Sequence, residues 1–366
     1  MKEKNYSIQF LRFLFVLAIC LGHLLWVTYC ATIEGQSLLK FVCRNCFIAN
    51  EFFFIVSGYF LYFSAKPVEA FVKERLIRLW PMLAFSIGAC GLLRTFHISG
   101  QSLNFSDLAT LFLLQGTGVS QTPGVNGPAW FICVLFWCSI IFYIMLRIIK
   151  RKTTKIITLL LIFIPSFWGF IMNLSVDSRG FVCTFISILM LKGLSLVALG
   201  IMLGAANEYL NKSNISKFLN YDKINSTLKV LYSIIEFTLA FVIIRYLFFY
   251  TKLPHCNELD VVLVIVAFVM MFLMFSNKAG VLSAKILNHK FMDFLGSKAY
   301  AIFIMQNFVF LLINNDKLQQ LLKPIETRPL YIILWLAVFI LVGLVSYYLV
   351  EKPVILIYKK LNKEKE

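Results

Sequence analysis

The chain has 366 residues, is 60% hydrophobic and only 14% charged, and carries 37 Phe. Soluble domains hold about 25% charged residues, whereas here apolar runs of roughly 18 to 24 residues recur along the whole length, each able to span about 30 Å of hydrocarbon. A water-soluble enzyme is excluded, and no polar stretch is large enough for a separate soluble domain. The net charge of +17 would suit nucleic acid, but the basic residues sit in short loops between apolar runs, as in cytoplasmic loops of membrane proteins. The expected surroundings are therefore a lipid bilayer, with no nucleic-acid partner.

In chain order, spans are predicted at 8–29, 47–64, 79–97, 129–149, 156–174, 181–203, 228–250, 259–276, 294–314 and 329–350. With the N-terminus inside, the inside segments, taken with Arg147 and Lys229 at the inner ends of their spans, hold 23 Lys and Arg and the outside segments seven. That bias predicts both termini in the cytoplasm. The expected fold is an all-α membrane protein, a bundle of about ten transmembrane helices forming a single integral-membrane domain over 1–366. Residues 355–366 are expected to be a flexible cytoplasmic tail. Lys2 and Lys4 before an apolar run imitate a signal peptide, but Arg12 and His23 do not suit a removed leader, so the first helix is expected to stay. The long segment 98–127 contains an apolar stretch too short to span, which can dip back where its backbone is buried. Cys43 and Cys46 form the one C-x-x-C. With no second pair, no zinc site or other metal is expected, and a disulfide or free thiols remain open.

The first helix carries Arg12 and His23, eleven residues apart. On an α-helix that spacing returns to within about 20° of the same face, with a rise of about 16 to 17 Å. A cation near the inner end and a titratable base deeper on one face suggest a polar cavity; snorkelling of Arg12 and a helix–helix bond from His23 are the plain alternatives. Glu51, at the start of the second span, lies at a depth similar to His23. A carboxylate beside an imidazole raises its basicity and orients it, so the two form a candidate base–orienter pair; an acid exposed at the interface is the alternative. Ser57 and Gly58 suit close helix packing. In "FVKERLIRLWP" (71–81), Arg75 and Arg78 share a helix face. Paired guanidinium forks suit phosphate oxygens, those of lipid headgroups included. Trp80 and Pro81 read as an interface anchor and a helix start. Arg94, Lys192, Arg245 and Glu236 lie within spans and receive no role.

Taken together, R-x10-H in the first helix, "FFIVSGYFL" in the second, the R-x-x-R of "RLIRLWP" and "SYYLVEKP" (346–353) resemble the membrane acyltransferase family 3, over about residues 5 to 355. The resemblance implies a ten-helix fold. It implies transfer of an acyl group, usually acetyl from cytoplasmic acetyl-CoA, to a hydroxyl of a sugar or of a cell-surface polysaccharide precursor. The chain would then be an O-acetyltransferase of the cell membrane, with no permanently bound cofactor. Arg75 and Arg78 would hold the CoA phosphates with help from Arg12. His23 would be the general base and Glu51 would stand where the family commonly has aspartate. Gln306, in "LGSKAYAIFIMQNF", replaces a histidine found in many relatives, so a second acid/base role there is not expected. "GVNGPAWFICVLF" is similar to the helix start of the branch acting on small sugars or exopolysaccharide, which places Asn126 and Trp130 at the acceptor mouth, with an interface-belt Trp130 as the alternative; Gln306, able to hydrogen-bond, is expected to bind the acceptor with them. Two other readings compete: a transporter of a glycan or anionic substrate lined by Arg12 and His23, and an inactive scaffold among glycan-assembly proteins.

Overall fold

Hydrocarbon leaves a backbone few ways to satisfy its own hydrogen bonds, and the helix is the one this sequence takes. The computed structural model describes residues 5–29, 45–95, 105–120, 124–174, 181–183, 186–212, 221–249, 258–325 and 329–363. Its helices are α1 (Tyr6–Tyr29), α2 (Ala49–Tyr62), α3 (Val68–Leu93), α4 (Phe105–Leu111), α5 (Trp130–Ile148), α6 (Lys152–Met172) and α7 (Ile188–Lys212). They continue with α8 (Ser226–Phe249), α9 (Glu258–Asn277), α10 (Lys290–Gly296), α11 (Ala299–Ile313), α12 (Asp316–Leu322), α13 (Pro329–Ser346) and α14 (Lys352–Lys363). One antiparallel pair, β1 (Phe181–Cys183) with β2 (Ile186–Ser187), precedes α7.

Helix occupies each of the ten expected runs. Among the described residues, eight helices are long and apolar enough to cross a membrane, or nine if the bent pair α10 and α11 counts as one. That pair meets at 42°, and the apolar helix Cys46–Tyr62 is shorter than a span. Three expected boundaries are corrected. The third run begins at Val68, with Pro81 inside the helix and not at its start. The sixth opens with the β pair, so its helix starts at Ile188. The ninth is broken at Ser297 and Lys298. Large apolar side chains cover the exposed faces, as on α8, where Val230, Ile234, Phe237 and Phe241 are each at least half exposed. Such faces suit lipid and would not suit water.

The chain divides into two units. The first holds Met1–Ser64, Ile149–Ser175 and Leu194–Ser297, hence α1, α2, α6, most of α7 and α8 to α10. Its helices cross at glycines. A Cβ on Gly58 of α2 would stand 2.2 Å from the Val197 carbonyl oxygen, and one on Gly200 of α7 2.1 Å from that of Ile55. Gly200 and Gly204 form a G-x-x-x-G on α7, and a Cβ on Gly204 would meet the Tyr62 side chain at 2.9 Å. Backbones therefore touch where side chains would hold them apart. A third close approach sets α10 on α1, where a Cβ on Gly296 would stand 2.3 Å from the Gln9 carbonyl oxygen. Phe15, Phe52 and Phe268 interlock at centroid distances of 4.5 to 5.9 Å. Glu236 of α8 is fully buried and accepts from the backbone N–H groups of Gly280, Leu282 and Ser283 and from the Ser283 hydroxyl. It caps the turn that follows α9, so this intramembrane acid is a structural ligand.

The second unit holds Ala65–Ile148, Val176–Gly193 and Lys298–Glu366. Gly343 of α13 packs against Ile302 of α11, where a Cβ would lie 2.4 Å from the isoleucine side chain. The stretch from α4 to Ser120 folds back along α3: the Trp80 indole N–H donates to the Leu111 carbonyl at 2.9 Å and that of Trp137 to the Leu113 carbonyl at 2.9 Å. Trp80 lies about 20 Å along α3 from its Leu93 end, so the segment reaches well down the helix. Phe105, Leu108 and Phe112 face outward, whereas Asp107 and Thr110 are buried.

Because the α2–α7 crossing leaves no room for a Cβ, Gly200→Ala is expected to lower stability by about 1–3 kcal/mol. Gly88→Ala, at a position with nothing within 4 Å, should change it by less than about 0.5 kcal/mol. Thermal unfolding in detergent, followed by labelling of the buried free thiols of Cys20, Cys46, Cys90, Cys133 and Cys138, measures both.

Candidate functional site

Arg75 and Arg78 lie inside α3, on a turn whose geometry is set by aromatic neighbours. The Arg75 guanidinium stands 5.2 Å from the centroid of Phe71, one turn earlier on the same helix. The Phe71 ring stacks on Tyr143 of α5 at 3.9 Å and 13°. Tyr143 donates its hydroxyl hydrogen to the Lys66 carbonyl, and the Arg147 guanidinium lies 5.2 Å from the Tyr143 centroid. Two cations thus bracket one aromatic pair, and each can gain from the ring quadrupoles. Arg75 is half-buried and Arg78 exposed. Next to Arg78, the buried Tyr300 of α11 donates to the Leu79 carbonyl at 2.6 Å. Its hydroxyl lies within electrostatic reach of Arg78 and of the buried Glu351. Lys298, also buried, sits 5.2 Å from the Tyr347 ring.

Further along α3 lies the amide cluster. Asn126 is fully buried, and its Nδ2 donates to Ser86 Oγ at 2.8 Å and to the Ile304 carbonyl at 3.0 Å. Ser86 spends its own hydrogen on the Leu83 carbonyl, so both partners of Asn126 are acceptors. This fixes the amide orientation. Asn126 Oδ1 is left as a buried acceptor with no hydrogen-bond donor among the described residues. Gln306 is fully buried two residues after Ile304, and Asn307 donates to the Val125 carbonyl. Trp130 opens α5. Its Cβ lies 3.1 Å from where a Cβ on Gly116 would stand, and the Lys192 ammonium is 5.9 Å from its ring centroid. Ser86 follows Arg78 on α3 by about 12 Å, so the phosphate-type cations and the amide cluster occupy two levels of one helix.

The first unit carries the imidazole. Arg12 and His23 lie on the uninterrupted helix α1, so the same-face argument applies. Arg12 Nη1 donates to Gln9 Oε1 at 3.0 Å, on the turn that Gly296 clamps. His23 Nδ1 lies 3.2 Å from the Ile19 carbonyl oxygen. A carbonyl can only accept, so Nδ1 donates here in the tautomer that carries its proton on that nitrogen. Phe47 stands 4.4 Å from the imidazole centroid, and Glu51, buried, follows Phe47 by one turn. Cys46 is a buried free thiol; Cys43 lies outside the described residues. Among the described residues no group of His, Cys, Asp or Glu could hold a metal ion.

The structure therefore groups Arg12, His23 and Glu51 in one unit and Arg75, Arg78, Asn126, Trp130 and Gln306 in the other. The sequence reading missed Tyr143, Arg147 and the buried Lys298 and Glu351. An aromatic residue followed four later by arginine, on both α3 and α5, was the available signal.

Apolar helices enclosing these charged and amide groups define a multi-pass membrane protein. The acyltransferase domain model matches residues 5–351, and the chain belongs to acyltransferase family 3. No curated protein and no solved structure matches it.

Asn126→Ala removes the donor to Ser86 Oγ and the Ile304 carbonyl. Thermal unfolding of the purified variant is expected to report a loss of about 1–3 kcal/mol.

Proposed function

We propose that the protein transfers an acetyl or other short acyl group from cytoplasmic acyl-CoA to a hydroxyl of a sugar or surface-polysaccharide precursor. In this reading it crosses the cell membrane ten times, with both termini in the cytoplasm. The family assignment over residues 5–351 carries it, because that span takes in every residue invoked. Arg75, Arg78 and Arg12 supply the positive charge that pyrophosphate requires. Asn126 Oδ1 is a buried acceptor suited to a sugar hydroxyl, Trp130 offers a face for sugar C–H groups, and Gln306 adds an amide.

His23 is the general base. Among the described residues, it is the only histidine within a helix long and apolar enough to cross a membrane. With Nδ1 bound to Ile19, Nε2 takes the proton of the attacking hydroxyl. The oxygen adds to the thioester carbonyl, the C–S bond breaks, and the imidazolium returns the proton to the departing thiolate. The products are the ester and free CoA. The Ile19 carbonyl holds the tautomer, and the buried Glu51 stabilises the imidazolium that forms.

Membranes containing the protein should move radiolabelled acetyl from acetyl-CoA to glycan. His23→Ala and Arg75→Ala are expected to reduce transfer by about 100-fold or more, with unchanged insertion; full activity in His23→Ala would overturn the mechanism. A C-terminal alkaline phosphatase fusion should be inactive and a green fluorescent fusion bright, as a cytoplasmic end requires.

A further inference from the structure

Ser86, Cys90 and Arg94 recur every four residues toward the end of α3, each about 6 Å beyond the last and turned by about 40° from it, so they form one stripe. Arg94 directly follows Leu93 and keeps helical dihedrals. The first level meets Asn126, whose Nδ2 is bound and whose Oδ1 is a buried acceptor without a donor among the described residues. At the second level the buried Cys90 meets Asn307, which also donates to the Val125 carbonyl. At the third, Arg94 is half-buried and lies within electrostatic reach of Cys90, one turn earlier. Helical side chains lean toward the N-terminus, so Arg94 reaches back along the stripe toward the amides. In the topology proposed above α3 ends at the outer face, where a snorkelling arginine would extend the opposite way.

A half-buried guanidinium among apolar helices calls for an anion. Among the described residues none is supplied, because no carboxylate stands within ion-pair distance of Arg94. Asp107 also lies within electrostatic reach of Cys90, but its Oδ1 accepts from the Val125 N–H. The chain that follows, 96–104, contains no Asp or Glu. Trp130, the aromatic face assigned to the acceptor, has a second cation beside it, the Lys192 ammonium at 5.9 Å from the ring centroid. We propose that the acceptor is an anionic sugar, and that Arg94 binds its carboxylate or phosphate while Asn126 Oδ1 accepts from one of its hydroxyls. This inference rests on the sugar-acceptor reading above, to which it adds the charge of the substrate. A carboxylate and a phosphate both present paired oxygens to a guanidinium fork, and the test separates them.

The test measures transfer from labelled acetyl-CoA, in membranes, to methyl glucuronoside, glucose 1-phosphate and the neutral methyl glucoside. The native protein should use one of the two anions with a kcat/KM about tenfold or more above that of the neutral glycoside, the worth of one charged contact. The preferred anion identifies the charged group. Arg94→Gln, which keeps N–H donors without the charge, should bring the ratio close to one. A native ratio near one, with acetyl transfer intact, overturns the proposal and leaves the acyltransferase reading standing. A preference that persists in Arg94→Gln overturns it too, as does an equal loss with charged and neutral acceptors, the result of a structural role. Transfer to none of the three by the native protein overturns the sugar-acceptor reading, and the proposal with it.

Discussion

Irregular backbone among apolar helices has no water to bond, so neighbouring side chains must supply the missing partners. Several buried polar side chains answer that requirement. Glu236 takes three N–H groups of the turn after α9. Trp80 and Trp137 give their indole hydrogens to Leu111 and Leu113, and Ser187 donates to the Gly116 carbonyl. Leu113, with φ of 62°, and Gly116, with φ of 74°, lie in the region that branched or bulky residues avoid. The folded-back stretch persists because these side chains hold its carbonyls. Asn126 belongs to the same set, since it ties the loop before α5 to both α3 and α11.

That accounting separates structural from chemical groups. A polar side chain whose hydrogen bonds all close one turn has a sufficient reason to be there, as Glu236 does. Asn126 differs: its two donors are spent on the fold while its acceptor is not. A group fixed through one atom while another stays uncommitted is preorganised for binding.

Much of this was legible in the sequence, and the reasons can be given residue by residue. Apolar length located all ten helical runs, because hydrophobicity over 18 residues or more has one structural outcome in lipid. Gly58 was readable as a packing residue, and its contact with the Val197 backbone bears that out. The start of α3 was not readable. Pro81 imitates a helix start, yet inside hydrocarbon a proline is tolerated within a helix when neighbours satisfy the freed groups. The break at Ser297 and Lys298 was hidden because both flanks are apolar and no proline or glycine pair marks it. Arg147 was counted among the loop charges. Its significance depends on Tyr143 meeting Phe71, a contact between distant segments that no local pattern encodes.

The aromatic stack also bears on why arginine, and not lysine, occupies these turns. A guanidinium can lie flat on a ring and still offer in-plane hydrogens along its edge, whereas an ammonium that approaches a ring face directs its charge into it. The Lys192 ammonium stands 5.9 Å from the Trp130 centroid and that of Lys298 5.2 Å from the Tyr347 centroid. The Arg75 and Arg147 guanidinium groups each stand 5.2 Å from the centroid of one member of the same aromatic pair. A cation that must be both anchored in an apolar wall and available to an anion needs two separate surfaces on one group. The guanidinium has both, so arginine suits the two turns flanking the Phe71–Tyr143 pair better than lysine would.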